Sequence, residues 1–125
     1  MAALGARLVS VEPGAVAIDL PFSPALTQQH GYFHAAATTA IADTAGGYAA
    51  LTLMAPGDEV LAVEFKVNLL RPAVGDRLVA TAQVLKPGRT LTVCRIDVHA
   101  HRDGAATLVA TMTQTNFRVP GGGGA

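Results

Sequence analysis

The sequence predicts an α+β fold in which a mostly antiparallel sheet wraps around one long helix. Three observations predict it. An Ala-rich stretch of helical composition begins at about Phe33 and meets no proline until Pro56. Two strand-like runs precede it and four follow it. Short turns, Pro87-Gly88 and Asp103-Gly104, join the later runs, as they do between antiparallel neighbours.

The elements follow in order. Arg7-Leu-Val-Ser-Val11 and Ala15-Val-Ala-Ile-Asp-Leu20 read as a hairpin, with Pro13-Gly14 as its turn. Pro21 and Pro24 stop the second run, so residues 21–31 are expected as loop. The helix comes next and ends at Met54-Ala-Pro-Gly57. Its bulk lies on a face through Phe33, Ala37, Ile41, Tyr48 and Thr52. The face through Ala36, Ala40, Asp43, Gly47 and Ala50 is small, which lets backbones approach closely. Four strands are expected at 60–70, 77–86, 90–101 and 106–117. In the third of these, Thr92, Cys94, Ile96, Val98 and Ala100 line one face, while Arg95, Asp97, His99 and His101 line the other. Asp103-Gly104 reads as a tight turn with positive φ. The expected organisation is one domain over 1–118 and a flexible Gly-rich tail over 119–125.

Composition narrows the function. The 125 residues are 50% hydrophobic and only 14% charged, too few charges to cover so small a body. Part of the surface is therefore expected to be buried against other copies of the chain. Nine basic and nine acidic side chains cancel, which argues against a nucleic-acid partner. A single cysteine, Cys94, excludes an internal disulfide and a cysteine-based zinc site. Met1-Ala-Ala-Leu-Gly-Ala-Arg7 lacks the apolar core of a signal peptide, so the cytoplasm is the expected compartment. The stretch after His34 is about long enough to span a membrane. Yet Thr38, Thr39, Asp43, Thr44 and Gly46-Gly47 interrupt it, and a central Asp costs roughly 2.5–3.5 kcal/mol on insertion. No membrane partner is expected.

Asp43 is the most informative residue. Between Asp19 and Asp58 it is the sole Asp, Glu, Lys or Arg. Asp is a poor mid-helix residue, and a buried carboxylate costs several kcal/mol unless it is hydrogen-bonded or paired. Such a burden points to use. Gln28, Gln29, His30, Gly31 and His34 form a polar cluster leading into the helix N-terminus. That terminus offers unpaired N–H groups and a positive dipole end, a place for a developing oxyanion. Asp43 lies nine residues after His34, roughly 13 Å along the axis. One helix thus cannot bring both features to a single carbonyl. A second subunit could, so this reading requires a dimer.

Other chemistries fit less well. His30 and His34 have i, i+4 spacing but no H-E-x-x-H glutamate, and His99 and His101 share a strand face beside a turn; no metal is expected. Ser10 and Ser23 lack a G-x-S-x-G context. Cys94 sits on an apolar strand face and reads as core. Gly46-Gly47 is helix-internal and lacks the Lys-Ser/Thr of a phosphate loop.

The stretch Gly31-Tyr-Phe-His34-Ala-Ala-Ala-Thr-Thr-Ala-Ile-Ala-Asp43-Thr-Ala-Gly-Gly resembles the H-G-G-x6-D motif of hotdog-fold acyl-CoA thioesterases of the phenylacetate-pathway, PaaI-like type. Val63-Glu-Phe-Lys-Val-Asn-Leu-Leu-Arg-Pro72 resembles that family's strand ending in R-P, and Val84-Leu-Lys-Pro-Gly-Arg-Thr90 its next turn. The likeness covers about 7–118 and the element order is the hotdog order. The resemblance implies hydrolysis of an acyl- or aroyl-CoA thioester by a homodimer or a homotetramer built as a dimer of dimers. Coenzyme A is then part of the substrate, and no cofactor is implied. By the same resemblance Asp43 is general base or nucleophile. The N–H of Ala35, after the motif histidine His34, polarises the carbonyl, and Gln28 orients water or thioester. Arg71, Lys86 and Arg89 are candidates for the CoA phosphates. This sequence departs from the motif at Ala35 and Ala36, which replace glycines. Ala62 and Gly47 stand where relatives often carry a hydroxyl. Two rival functions remain: a non-catalytic acyl-CoA-binding module, and a hydratase or dehydratase pairing His34 or His30 with Asp43.

Overall fold

The computed structural model describes residues 5–27 and 31–121. The six strands are β1 (Arg7–Glu12), β2 (Ala15–Pro21), β3 (Glu59–Leu69), β4 (Arg77–Lys86), β5 (Leu91–Arg102) and β6 (Ala105–Val119). The helix α1 is Ala35–Leu51, and a single 3-10 turn at Pro24–Leu26 interrupts the loop before it. Every strand pairs antiparallel, in the order β1-β2-β4-β5-β6-β3. After β2 the chain crosses the sheet as α1, forms the far edge as β3, and returns to lie beside β2 as β4. β5 and β6 then fill the gap. This is the hotdog fold, the α+β class the sequence predicts.

Turn chemistry fixes the hairpins. Asp103 (φ 50°) and Gly104 (φ 80°) form the expected primed turn between β5 and β6. Gly14, at φ 77°, turns β1 into β2, and its N–H donates to Thr52 Oγ1 at 2.8 Å, tying the hairpin to the end of α1. β6 continues through Val119, and the Gly121 N–H donates to Asp58 Oδ1 at 3.3 Å, so the chain is held past 118. Residues 122–125 of the expected tail lie outside the described residues.

One layer of side chains joins helix and sheet. Val16, Ile18 and Leu20 of β2, Leu78, Ala80 and Ala82 of β4, Cys94, Ile96 and Val98 of β5, and Met112 of β6 are buried. β5 alternates as expected. The helix face does not follow the expectation. The buried residues are Ala37, Thr38, Ile41, Ala42, Ala45, Gly46, Ala49 and Ala50, while Tyr48 is exposed. Small side chains face the sheet because α1 lies close on it. The helix is apolar nearly all round, so periodicity alone does not select the buried side.

The sheet is unevenly covered. On the outer face of its centre, Arg95 pairs with Asp97, which also accepts from Thr111 Oγ1 at 2.8 Å; that face is polar. β3 contributes no fully buried side chain. Ala62, Phe65, Val67 and Leu69 pair with Asn116, Gln114, Met112 and Ala110, so they lie on the helix side of the sheet. Yet Phe65 and Leu69 remain 46% and 56% exposed, because α1 does not reach over them. Leu61 and Val63 are exposed as well. β3 is therefore an open, apolar edge, the kind that invites another strand.

Candidate active site

The entry to α1 is pinned from both sides. The Phe33 N–H donates to Ala73 O at 2.8 Å and the His34 N–H to Leu26 O at 2.7 Å. The Phe33 ring is buried and meets Phe22 edge-on, with centroids 5.7 Å apart. His34 is the N-cap in extended conformation, and its carbonyl accepts from the N–H groups of Ala37 and Thr38. Ala35 opens the helix. Its N–H belongs to the first turn, which has no helical carbonyl to bond. His34 and Ala35 line a hollow of about 490 Å³, closed on the far side by Leu69, Leu70 and Arg71 at the end of β3.

Asp43 lies two turns further along, half-buried, in a second hollow of about 230 Å³. Thr44 and Gly47 of α1, Val60 and Ala62 at the start of β3, and Asn116 of β6 share that hollow. The carboxylate is not loose. Gln114 Nε2 donates to Asp43 Oδ1 at 2.7 Å and to the Asp43 carbonyl at 2.9 Å. Asn116 Nδ2 donates in turn to Gln114 Oε1 at 2.8 Å and makes a longer contact to Cys94 Sγ at 3.8 Å. The Cys94 thiol donates to Gly46 O at 3.5 Å. Burial pushes this thiol up to about 11 from its ordinary 9.0, against a smaller downward pull from Asn116. Cys94 is thus a protonated core residue and not a nucleophile at neutral pH.

Gln114 and Asn116 are fully buried polar residues that the motif-based reading does not include. A signal for them was present. In Thr111-Met-Thr-Gln-Thr-Asn116 the two amides fall in phase with Met112, at inward positions where an apolar strand face is expected. Amides there need partners, and Asp43 is one.

Both hollows lie between α1 and β3 and share no lining residue. The Ala35 hollow faces the finish of β3 and the Asp43 hollow faces its start. Within one chain the two stay separate, as the spacing along the helix requires. Of the basic residues, Arg71 lines the Ala35 hollow and donates through Nη1 to Leu108 O at 2.9 Å. Arg89 lines a different hollow with Asp58 and Arg118, and Lys86 is exposed at the end of β4. Within one chain the structure does not bring these three together. Gln28 and His30 lie outside the described residues. His99 and His101 lie on β5, away from both hollows. Among the described residues, no helix is long and apolar enough to cross a membrane.

An α+β hotdog with a carboxylate held mid-helix defines the class. Residues 30–107 match the model of the thioesterase superfamily. The chain belongs to the thioesterase superfamily. A thioesterase family protein from Silicibacter pomeroyi is 50% identical, with a TM-score of 0.95 over 97% of this chain and 89% of that one. The E. coli PaaI protein from the phenylacetic acid degradation operon is 27% identical, with a TM-score of 0.83 over 96% and 83% of the two chains. A 1,4-dihydroxy-2-naphthoyl-CoA hydrolase of Listeria monocytogenes is 26% identical over 76% of this chain and 77% of its own length. A protein named as an esterase in Saccharolobus solfataricus is 29% identical over 75% of this chain, and the match spans 66% of that protein, just under two thirds.

Proposed function

We propose that this chain hydrolyses acyl- or aroyl-CoA thioesters, in the manner of PaaI-like enzymes, at a site shared between two subunits. One observation carries the reading: the Asp43 hollow meets the start of β3, and the hollow at the open helix N-terminus meets its end. A two-fold copy that pairs its β3 antiparallel to this β3 reverses the order of the two hollows. With the axis near Phe65 and Lys66, Ala62 of one chain stands opposite Leu69 of the other. Asp43 of one protomer then meets His34 and Ala35 of its partner, twice per dimer, as an isologous interface demands. The same pairing covers Leu61, Val63, Phe65 and Leu69. The interface also removes water from the site, which strengthens each polar contact there.

The chemistry follows from the parts. The Ala35 N–H, assisted by the helix dipole, stabilises the oxyanion that forms on the thioester carbonyl. Alanine keeps that N–H, so replacement of the motif glycine leaves the donor in place. Asp43 supplies the carboxylate, and Gln28 takes the role that the resemblance gives it, orienting water or thioester. Arg71 borders the Ala35 hollow, which supports a role for it toward a CoA phosphate. Asp58 immediately precedes β3, so the Arg89 hollow lies on the side of the Asp43 hollow that faces the start of β3. Arg89 and Lys86 of one subunit would therefore flank the same cleft as Arg71 of the other.

The test is Asp43→Asn, assayed by thiol release over a panel of aryl and aliphatic CoA esters. Turnover should fall at least about 100-fold, the lower end of acid–base contributions. Undiminished turnover in a folded variant defeats the reading. Water addition to an enoyl-CoA without thiol release would favour a hydratase instead. Tight binding across the panel without turnover would favour a binding module.

A further inference from the structure

The buried amide pair leaves one atom unaccounted for. Among the described residues, Asn116 Oδ1 is a buried side-chain polar atom with no hydrogen-bond partner. Buried acceptors in that state are rare, and each calls for a cause. Asn116 is fully buried and is among the residues that line the hollow with Asp43.

The orientation of the pair follows from Asp43. A carboxylate only accepts hydrogen bonds, so Gln114 must turn its Nε2 toward it. This leaves Gln114 Oε1 facing back, where only a donor fits, and Asn116 supplies Nδ2. Asn116 Oδ1 then has one remaining character: an acceptor awaiting a donor. Directly across the β3–β6 pair stands Ala62, whose methyl offers no hydroxyl. The missing partner must therefore come from outside the described side chains, and water is the donor small enough for this position.

We propose that Asn116 seats the attacking water through Oδ1 beside Asp43, while its Nδ2 acts through Gln114 to hold the Asp43 carboxylate in line with that water. This rests on the thioesterase reading and deepens it. The water gives one O–H to Asn116 Oδ1 and the other to Asp43. Asp43 takes the second proton as the water oxygen lone pair forms the new C–O bond. The carbonyl π pair moves onto oxygen, opposite the Ala35 N–H of the partner chain. When the tetrahedral intermediate collapses, the C–S bond breaks, its pair leaves on sulfur, and the proton held by Asp43 passes to the thiolate. Water and thioester become acid and thiol, with no other reactant. Asn116 thus fills the place left by the absent hydroxyl at Ala62, and Gln114 is a positioning residue.

The experiment compares wild type, Asp43→Asn, Asn116→Leu and the double variant Ala62→Ser/Asn116→Leu on the best thioester of the panel, each checked for folding. Asn116→Leu should lower kcat about 10- to 100-fold, the loss that misplacing a reacting group carries, with KM within about threefold. Adding Ala62→Ser restores a hydroxyl opposite position 116 and should recover several-fold of kcat, which a packing defect alone would not do. A single turnover in 18O-labelled water should place label in all of the first product acid. If Asn116→Leu does not fold, Asn116→Ala carries the same comparison. The proposal is overturned by unchanged kcat in a folded Asn116 variant, by equal loss in kcat and binding, or by no recovery on adding Ala62→Ser. A first product acid that carries no label, the mark of attack by Asp43 itself, overturns it too. If wild type hydrolyses no thioester, or Asp43→Asn keeps full turnover, the thioesterase reading has failed, and the water seat falls with it.

Discussion

Gly46→Ala and Gly47→Ala are the same chemical change one residue apart, and they should move stability in opposite directions. Either alanine favours helix by about 0.8–1.0 kcal/mol over glycine. At Gly47 a new Cβ would meet only Val60 Cγ1, at 3.8 Å, an ordinary contact, so the helix gain is kept. At Gly46 the Cβ would overlap Gln114 Oε1 and stand 2.8 Å from Gln114 Cδ and 2.9 Å from Ile96 Cδ1. Both of those side chains are fully buried, with no open space to retreat into. Overpacking costs about 1–3 kcal/mol. Displacing the Gln114 amide also breaks its bond from Asn116 and its grip on Asp43, about 1–3 kcal/mol more for buried groups left unpaired. The net loss at Gly46 is at least about 1 kcal/mol, against a gain of up to about 1 kcal/mol at Gly47. Urea unfolding at one fixed protein concentration measures both, since association shifts apparent stability. Equal stability of the two variants, or a Gly46→Ala protein as stable as wild type, would refute the packing of Gln114 against the helix.

Other expectations follow from single groups. Cys94, with its thiol pushed up to about 11 by burial, should resist Ellman's reagent at pH 8 in native protein and yield one thiol per chain in denaturant; stoichiometric native labelling would contradict this. Asp58 accepts from Arg118 Nη1 at 3.1 Å and from two backbone N–H groups, and the Arg118 hydrogen bond leads in holding its carboxyl below the usual range. A depressed carboxyl stabilises the fold above its unfolded pKa, and that support is lost as pH falls through the folded value. Asp58→Asn should therefore lose less Tm than wild type between about pH 5 and pH 3, across the ordinary carboxyl range; parallel Tm curves would exclude the pair as an acid-sensitive support. Phe65→Arg places a charge on the exposed edge strand, so light scattering should show a smaller assembly with little thioesterase activity; an unchanged assembly would remove β3 from the interface.

Much of the fold was legible because it rests on local signals. Pro13-Gly14 and Asp103-Gly104 turn the chain where the sequence says they do, and the β4 bounds coincide with expectation. The helix face was not legible, because α1 is apolar or small on almost every side. Which side meets the sheet is decided by how closely a strip of Ala and Gly can approach, a tertiary fact. Asp43 stood out through its isolation in charge, which needs no structure to see. Its partners Gln114 and Asn116 lie 71 and 73 positions later, and only the β5–β6–β3 pairing brings them under the helix. The exposure of Phe65 and Leu69 was equally hidden, since strand composition does not say which strand becomes an edge.

Subunit complementation tests the shared site most directly. Ala35→Pro deletes the N–H at the first helical position, where proline is well tolerated and where His34 already has the extended backbone a following proline needs. Asp43→Asn deletes the carboxylate. Each homodimer should be nearly inactive. In a mixed dimer, one cleft unites the intact Asp43 of one chain with the intact Ala35 of the other. Random exchange of equal amounts should then restore about a quarter of wild-type activity, because half the dimers are mixed and each has one sound cleft. Activity that stays at the level of the separate variants after proven exchange would contradict a site built from two subunits.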